Sequence, residues 1–150
     1  LNLDASSVVA VIRPPRRLSS SRRLHLINSH FTMKTGHQLL EEARKRITEI
    51  SARDVLQMRE RGEDFAVIDV REDREWNLGH VPGAVHVARG TLEGRVEGVV
   101  PRERKVVVYC ARGNRSALAA DTMREMGYRD VVSLAGGIQS WVDAGGEIEG

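Results

Sequence analysis

Short apolar runs alternate with amphipathic stretches along most of the chain. The runs are rich in β-branched residues and lie at Phe65–Val70, Ala84–Val87, Lys105–Tyr109 and Val131–Leu134. Such runs are typical of strands that are buried on both faces of a parallel sheet. Because helical patterns separate them, the sequence predicts an α/β fold with a central, mostly parallel sheet and helices on both faces.

Helices are predicted where apolar residues recur at helical spacing between charged positions. The first is an amphipathic helix within residues 33–47, with Leu39 and Ala43 on its apolar face. Ser51 has the form of an N-cap for the second helix, which ends at Gly62. The other helices are predicted at Glu72–Leu78, Thr91–Val96, Ser116–Met126 and Ile138–Val142.

Residues 1–32 differ in composition from the rest of the chain. They hold five arginines against one acidic residue, and Pro14 and Pro15 interrupt them. We expect a disordered leader, either an organellar transit segment or an upstream segment foreign to the domain. We favour the second because the chain begins with Leu1. The predicted division is therefore the leader, an N-terminal helix of residues 33–47 and a domain of residues 48–150.

The overall composition is that of a globular protein, with 41% hydrophobic and 29% charged residues. The formal net charge of +2 comes from the leader, because the chain from Lys34 onward holds 18 basic and 20 acidic residues. Aromatic residues make up 4%, too few for base-stacking platforms. No apolar run approaches the roughly 18 residues of a membrane helix. We therefore expect neither a nucleic acid nor a membrane as a partner.

Cys110 is the chain's single cysteine, so it cannot form an intrachain disulfide. A free thiol suits a reducing compartment. The expected location is cytoplasmic, or organellar if residues 1–32 are a transit segment.

Cys110 also ends the strongest predicted strand, where the chain turns into a helix. Ligands of open α/β sheets bind at this edge. The N–H groups of such a turn, the helix N-terminus and the cations Arg112 and Arg115 would all stabilise a thiolate and attract an anion. Gly113 permits the backbone angles of a closed loop. The pattern predicts a nucleophile, although a lone cysteine is more commonly a small buried hydrophobe.

Three segments resemble the signatures of single-domain rhodanese-like sulfurtransferases. Cys110–Ser116 resembles the active-site loop C-x-x-G-x-R of that family. Asp69–Glu72, followed by Gly79–Ala84, resembles its N-terminal signature, and Leu134–Gly137 with Trp141 resembles its C-terminal one. Together the three are far more specific than the loop alone.

The resemblance implies transfer of a sulfane sulfur in two steps. Cys110 takes the outer sulfur of a small anionic donor such as thiosulfate, and the resulting persulfide passes it to a thiophilic acceptor. The implied acceptors are cyanide in vitro and a cellular thiol or thiol protein in vivo. Cys110 and Arg115 are the implied catalytic residues, and neither a metal nor an organic cofactor is required. The residues implied to bind the substrate are Ala111, Arg112, Gly113, Asn114, Ser116 and Arg71.

Two alternatives stay open. A non-catalytic rhodanese-like module would carry sulfur or bind a partner without turnover. A cysteine phosphatase requires the spacing C-x5-R, but Cys110 and Arg115 are separated by four residues and Ser116 occupies the phosphatase position. Ala111 stands where classical thiosulfate enzymes of the family often have arginine, so the preferred donor is also open.

Polar and aromatic residues outside the loop are interpreted mainly as structural. Arg71 either helps to bind an anion or pairs with Asp69 to fix the backbone. His80 is expected to bond a nearby loop. Trp76 and Trp141 are expected to pack rather than to form a binding platform.

Overall fold

The computed structural model describes residues 32–150. It contains one sheet of five short strands within these residues. They lie side by side in the order β1-β5-β4-β2-β3, and each neighbouring pair is parallel. The predicted α/β fold is confirmed. The strands are β1 (Thr48–Ile50), β2 (Ala66–Asp69), β3 (Val85–His86), β4 (Val106–Tyr109) and β5 (Val131–Leu134).

Helices connect the strands, and Thr35–Gly150 form one compact unit. Within residues 32–150, no helix has the length and apolar composition needed to cross a bilayer. All but the last residue of the predicted leader lies outside the described residues. The helices are α1 (Gly36–Arg46), α2 (Ala52–Glu60), α3 (Asp73–Asn77), α4 (Leu92–Arg95), α5 (Asn114–Glu125) and α6 (Gly137–Asp143).

Side chains of β4 alternate between the two faces of the sheet. Val106 and Val108 lie in one hydrophobic core, whereas Val107 and Tyr109 lie in the other. All four are at most 1% exposed. Residues of α4 and α5 complete the first core, and residues of α2 and α6 complete the second. Burial on both faces explains why this strand is a continuous apolar run in the sequence.

Strand β1 is an element that the sequence pattern does not predict. Thr48 and Glu49 are exposed and Ile50 is only partly buried, so no apolar run marks the segment. It is extended because it pairs with β5 at the edge of the sheet. Tertiary pairing, rather than local propensity, therefore makes this strand.

Helix α5 begins two residues earlier than its predicted start at Ser116. Its N-cap is Gly113, whose φ of 105° lies in the left-handed region that favours glycine. The tight turn at this residue allows the helix to begin at Asn114. Asn114 and Arg115 consequently lie in the first helical turn rather than in a loop.

Helix α1 is attached to α5 by an ion pair. Arg46 Nη2 lies 2.7 Å from Asp121 Oδ2, and the Asp121 side chain is 11% exposed. The hydrogen bonds from Arg46 lower the pKa of this carboxyl. Because the Arg46 side chain is 45% exposed, solvent screens part of this interaction. Asp121→Ala should reduce the free energy of unfolding by about 1 kcal/mol, measured by urea denaturation at pH 7.

The control for this prediction is Glu125→Ala on the same helix. Glu125 is 67% exposed and lies 3.9 Å from Arg124, an arrangement worth at most about 0.5 kcal/mol. Equal losses in the two variants would contradict a specific role for the Asp121 pair.

Candidate active site

Cys110 lies immediately after β4, at the carboxyl edge of the sheet. The short segment Cys110–Gly113 joins this central strand to α5. Cys110 is 1% exposed, and a paired strand on each side of β4 fixes its position. The cysteine therefore occupies the edge at which α/β sheets bind ligands.

The Cys110 sulfur is surrounded by polar groups. The Gly113 N–H donates a hydrogen bond to Sγ over 3.0 Å, and Ser116 Oγ lies 3.5 Å from Sγ. Ser116 Oγ also lies 2.8 Å from Ser133 Oγ and donates to the Gly113 carbonyl. The hydroxyl of Ser116 on α5 therefore lies beside the sulfur and is itself held by Ser133 on β5.

Backbone donors at the start of α5 extend this polar environment. The N–H groups of residues 112 and 114–116 have no hydrogen-bond acceptor within residues 32–150. Such orphan amides are a property of helix N-termini, which carry partial positive charge. The loop therefore offers several donors to an anionic group beside Cys110.

The start of α6 braces the loop from the other side. The Ile138 N–H donates to the Cys110 carbonyl at 2.9 Å, and the Gln139 N–H donates to the Ala111 carbonyl at 3.4 Å. Gly137, with a φ of 61°, lets α6 begin this close to the loop. These two hydrogen bonds therefore hold the Cys110 segment against the start of α6.

Arg115 makes a two-pronged ion pair with Glu75 of α3. Its Nη1 and Nη2 lie 2.7 and 2.9 Å from the two carboxylate oxygens. The hydrogen bonds from Arg115 lower the pKa of Glu75 to about 2, and those to Glu75 raise the pKa of Arg115. Sequence reasoning missed Glu75, because nothing in the local pattern connects it to a residue 40 positions away.

The other predicted loop residues have different surroundings. Gly113 and Ser116 are buried beside Cys110. Asn114 Oδ1 instead accepts a hydrogen bond from Arg44 of α1 at 2.9 Å. Arg112 is exposed and forms neither an ion pair nor a hydrogen bond through its side chain with residues 32–150, and Ala111 is half-buried.

A buried ionic cluster lies at the ends of β2 and β4. Arg71 Nη2 lies 2.8 Å from Asp69 Oδ2 and 2.8 Å from the Gly79 carbonyl. The Tyr109 hydroxyl donates to the same carboxylate, and burial raises the pKa of this phenol. Arg71 therefore pairs with Asp69, which is one of the two interpretations of this residue given by the sequence. A role of Arg71 in substrate binding stays a prediction.

Comparison with known proteins decides the family. Residues 51–144 match the family model described as the rhodanese-like domain. The chain belongs to the rhodanese-like domain family. The match contains the three segments on which the sequence resemblance is based and confirms it.

Relatives of this rhodanese-like domain have names from sulfur chemistry. The chain is 33% identical to "Putative sulfur carrier protein YrkF" of Bacillus subtilis, over 75% of this chain and 60% of that protein. It is also 33% identical to thiosulfate sulfurtransferase GlpE of Shewanella oneidensis, over 63% of this chain and 92% of that protein. The chain therefore spans less than two thirds of the first relative but almost all of the second.

A solved structure from Rhodopseudomonas palustris has the same fold. It is described as a protein of unknown function and possible tyrosine phosphatase. The two are 35% identical with a TM-score of 0.71, over 79% of this chain and 96% of that one.

Packing contacts in the rhodanese-like domain involve aromatic and histidine side chains that lie outside the loop. The His80 ring stacks on Trp76 at 3.5 Å, and its Nδ1 lies 3.3 Å from the Trp76 carbonyl oxygen. Trp141 is 1% exposed. These contacts agree with the structural interpretation of all three residues. Within residues 32–150, no group of three or more His, Cys, Asp or Glu side chains is arranged to hold a metal ion.

The Glu75–Arg115 pair gives this rhodanese-like domain a predictable pH dependence. A carboxyl with a lowered pKa stabilises the folded state above its ordinary pKa of 4.5, and the contribution is lost as pH falls towards about 2. Glu75→Gln should therefore lower the melting temperature at pH 7, and the difference from wild type should shrink between pH 4.5 and pH 2. Circular dichroism at a series of pH values measures both.

Glu63→Gln provides the comparison for this measurement. Glu63 pairs with Arg61 at 2.9 Å, but both side chains are more than a third exposed, so solvent screens the interaction. A pH-dependent difference as large as that of Glu75→Gln would show that ordinary surface charge explains the effect.

Proposed function

We propose that the chain is a sulfurtransferase in which Cys110 carries the transferred sulfur as a persulfide. The observation that supports this most strongly is the set of donors around Sγ. The Gly113 N–H lies 3.0 Å away, and the amides of residues 112 and 114–116 lack acceptors among the described residues. A persulfide extends the cysteine by one anionic sulfur, and fixed donors of this kind stabilise such a charge.

The proposed reaction begins with thiosulfate or a related anionic donor. The Cys110 thiolate attacks the outer sulfur, a new S–S bond forms, and the donor's S–S bond breaks with its electron pair leaving on sulfite. In the second step an acceptor such as cyanide or a thiol attacks the outer sulfur of the persulfide. The electron pair of that S–S bond then returns to Cys110 Sγ as a thiolate.

The contacts of the loop favour sulfur transfer over phosphoryl transfer. Ser116 is at the position where the C-x5-R spacing of a phosphatase requires arginine, and its hydroxyl is used in contacts with Cys110 and Ser133. Arg115 is paired with Glu75 rather than held by the loop. We therefore do not propose phosphatase activity for this chain.

Arg115 is proposed to attract the anionic donor by offsetting the charge of Glu75. Arg115→Ala leaves that carboxylate unpaired beside the loop, so it should repel the donor. We expect kcat/KM for thiosulfate to fall by about 10- to 100-fold, the size of one lost charge-assisted interaction, mainly through KM. Steady-state formation of thiocyanate in the presence of cyanide measures this.

Arg61→Ala is the matched control, because it breaks an exposed ion pair with Glu63. Its kinetic constants should equal those of the wild type. If Arg115→Ala shows no greater loss than this control, Arg115 has no part in donor binding.

Two-substrate kinetics test the proposed function. A persulfide intermediate requires sulfite to leave before the acceptor binds, so plots against thiosulfate at several cyanide concentrations should give parallel lines in double-reciprocal form. Intersecting lines would contradict the intermediate. A non-catalytic carrier would release one equivalent of sulfite and then stop.

We also propose a cytoplasmic location, because the reaction requires the single thiol of Cys110 to stay reduced. Recovery of the full-length protein in an oxidising compartment would contradict this.

A further inference from the structure

A largely aliphatic cavity of about 290 Å³ opens beside the active-site loop. Its walls include the side chains of Leu78, Ile138, Val142 and Ile148. Leu78 is 89% exposed, Val142 47% and Ile148 43%. Large apolar side chains grouped at an exposed concave surface are typical of binding sites.

The cavity adjoins the loop that carries Cys110. One wall is the first turn of α6, where Ile138 donates its N–H to the Cys110 carbonyl. The walls also include Glu75, which is bound to Arg115 in the first turn of α5, directly after the loop. A molecule that fills the cavity is therefore held next to the elements that position the reacting sulfur.

The charged groups that line the cavity are already neutralised by partners. Arg71 is paired with Asp69, and Glu75 is paired with Arg115. An inorganic dianion gains little from walls in which each charge is compensated. An uncharged carbon chain or ring gains from the aliphatic walls by leaving water.

We infer that this cavity binds the apolar carbon body of a small organic thiol that accepts the sulfur. The inference rests on the proposed function and adds the chemical class of the acceptor. The thiolate attacks the outer sulfur of the anionic Cys110 persulfide and forms a new S–S bond. The bond to Sγ breaks, its electron pair stays on Cys110 as a thiolate, and the transferred sulfur leaves with its negative charge as part of the organic persulfide.

Discharge of the loaded protein tests the inference. The protein is first charged with thiosulfate and freed of excess donor. Loss of the persulfide is then timed with 2-phenylethanethiol, with 2-mercaptoethanol and with cyanide, each at several concentrations. Because the two thiols are both primary alkyl thiols that differ mainly in their apolar body, the wild type should discharge to the first about tenfold more efficiently, the scale of a filled apolar pocket.

Variants at the rim of the cavity sharpen the test. In Leu78→Ser and Val142→Ser, the ratio of the second-order rate constants for 2-phenylethanethiol and 2-mercaptoethanol should fall towards one. Leu39→Ser is the matched control, because Leu39 is also an exposed leucine, 49% accessible, but lies on α1 and does not line the cavity. The control should keep the wild-type ratio.

The outcomes separate the inference from the proposed function. Equal discharge to both thiols by the wild type, or an unchanged ratio in both rim variants, would overturn the inference while leaving sulfur transfer in place. A protein that takes up no sulfur would contradict the proposed function and the inference together. Because Leu78 is almost fully exposed, its replacement should leave the melting temperature unchanged.

Discussion

Replacement of Cys110 by serine should reduce sulfur transfer by about 10³-fold or more, because the loss of a covalent nucleophile is among the largest single-residue effects in enzymes. A hydroxyl oxygen can neither form a persulfide nor act as a comparably good leaving group in the second step. The fold should persist, because serine is smaller than cysteine and its oxygen can accept the hydrogen bond that the Gly113 N–H donates to Sγ. Thiocyanate formation and thermal unfolding of the two proteins measure activity and fold separately.

Ser133→Ala is a useful companion to this variant. It removes a hydroxyl that contacts Ser116 but does not reach the sulfur itself. We expect a measurable but much smaller loss of turnover, because the loop loses support while the nucleophile remains. Residual transfer in Cys110→Ser at the level of Ser133→Ala would contradict the assignment of the nucleophile.

Replacement of Gly137 by alanine should both destabilise the protein and impair transfer. The added Cβ would collide with the Cys110 carbonyl oxygen and the Ala111 carbonyl carbon, because both lie closer than real contacts allow. Because the obstructing atoms are backbone, the loop itself must move. We expect the free energy of unfolding to fall by about 3 kcal/mol or more and transfer to fall by more than about tenfold.

Gly62→Ala is the control that separates two effects of Gly137→Ala, the collision of the added Cβ with the loop and the strain of a left-handed backbone. Gly62 has a φ of 68°, close to the 61° of Gly137, but a Cβ there meets no atom within 4 Å. Its cost should be about 1–2 kcal/mol from the left-handed backbone alone, with unchanged transfer. Equal losses in the free energy of unfolding of the two variants, measured by urea denaturation, would show that the close approach of α6 to the loop does not contribute to the effect of Gly137→Ala.

The parts of the fold that could be predicted from the sequence are those in which local pattern and tertiary environment agree. Val106–Tyr109 is apolar at every position because both faces of its strand are buried. The same strand was therefore recognisable without a structure. Thr48–Ile50 has no such signal, because its extended form comes from pairing with β5.

The candidate site likewise has one part that the sequence predicts and another that only the three-dimensional structure shows. Cys110, Gly113 and Ser116 lie within one short segment, so a strand–turn–helix pattern brings them together. Glu75 and Ser133 reach the loop only through the packing of α3 and β5. No periodicity in the sequence specifies which distant carboxylate meets Arg115, so the charge balance of the site was visible only in three dimensions.

The intact mass of the protein before and after exposure to thiosulfate tests the Cys110 persulfide most directly. We expect a gain of one sulfur atom that a reductant removes and that Cys110→Ser does not show. The same gain in Cys110→Ser, or no gain with thiosulfate and with organic persulfide donors alike, would contradict a persulfide on Cys110.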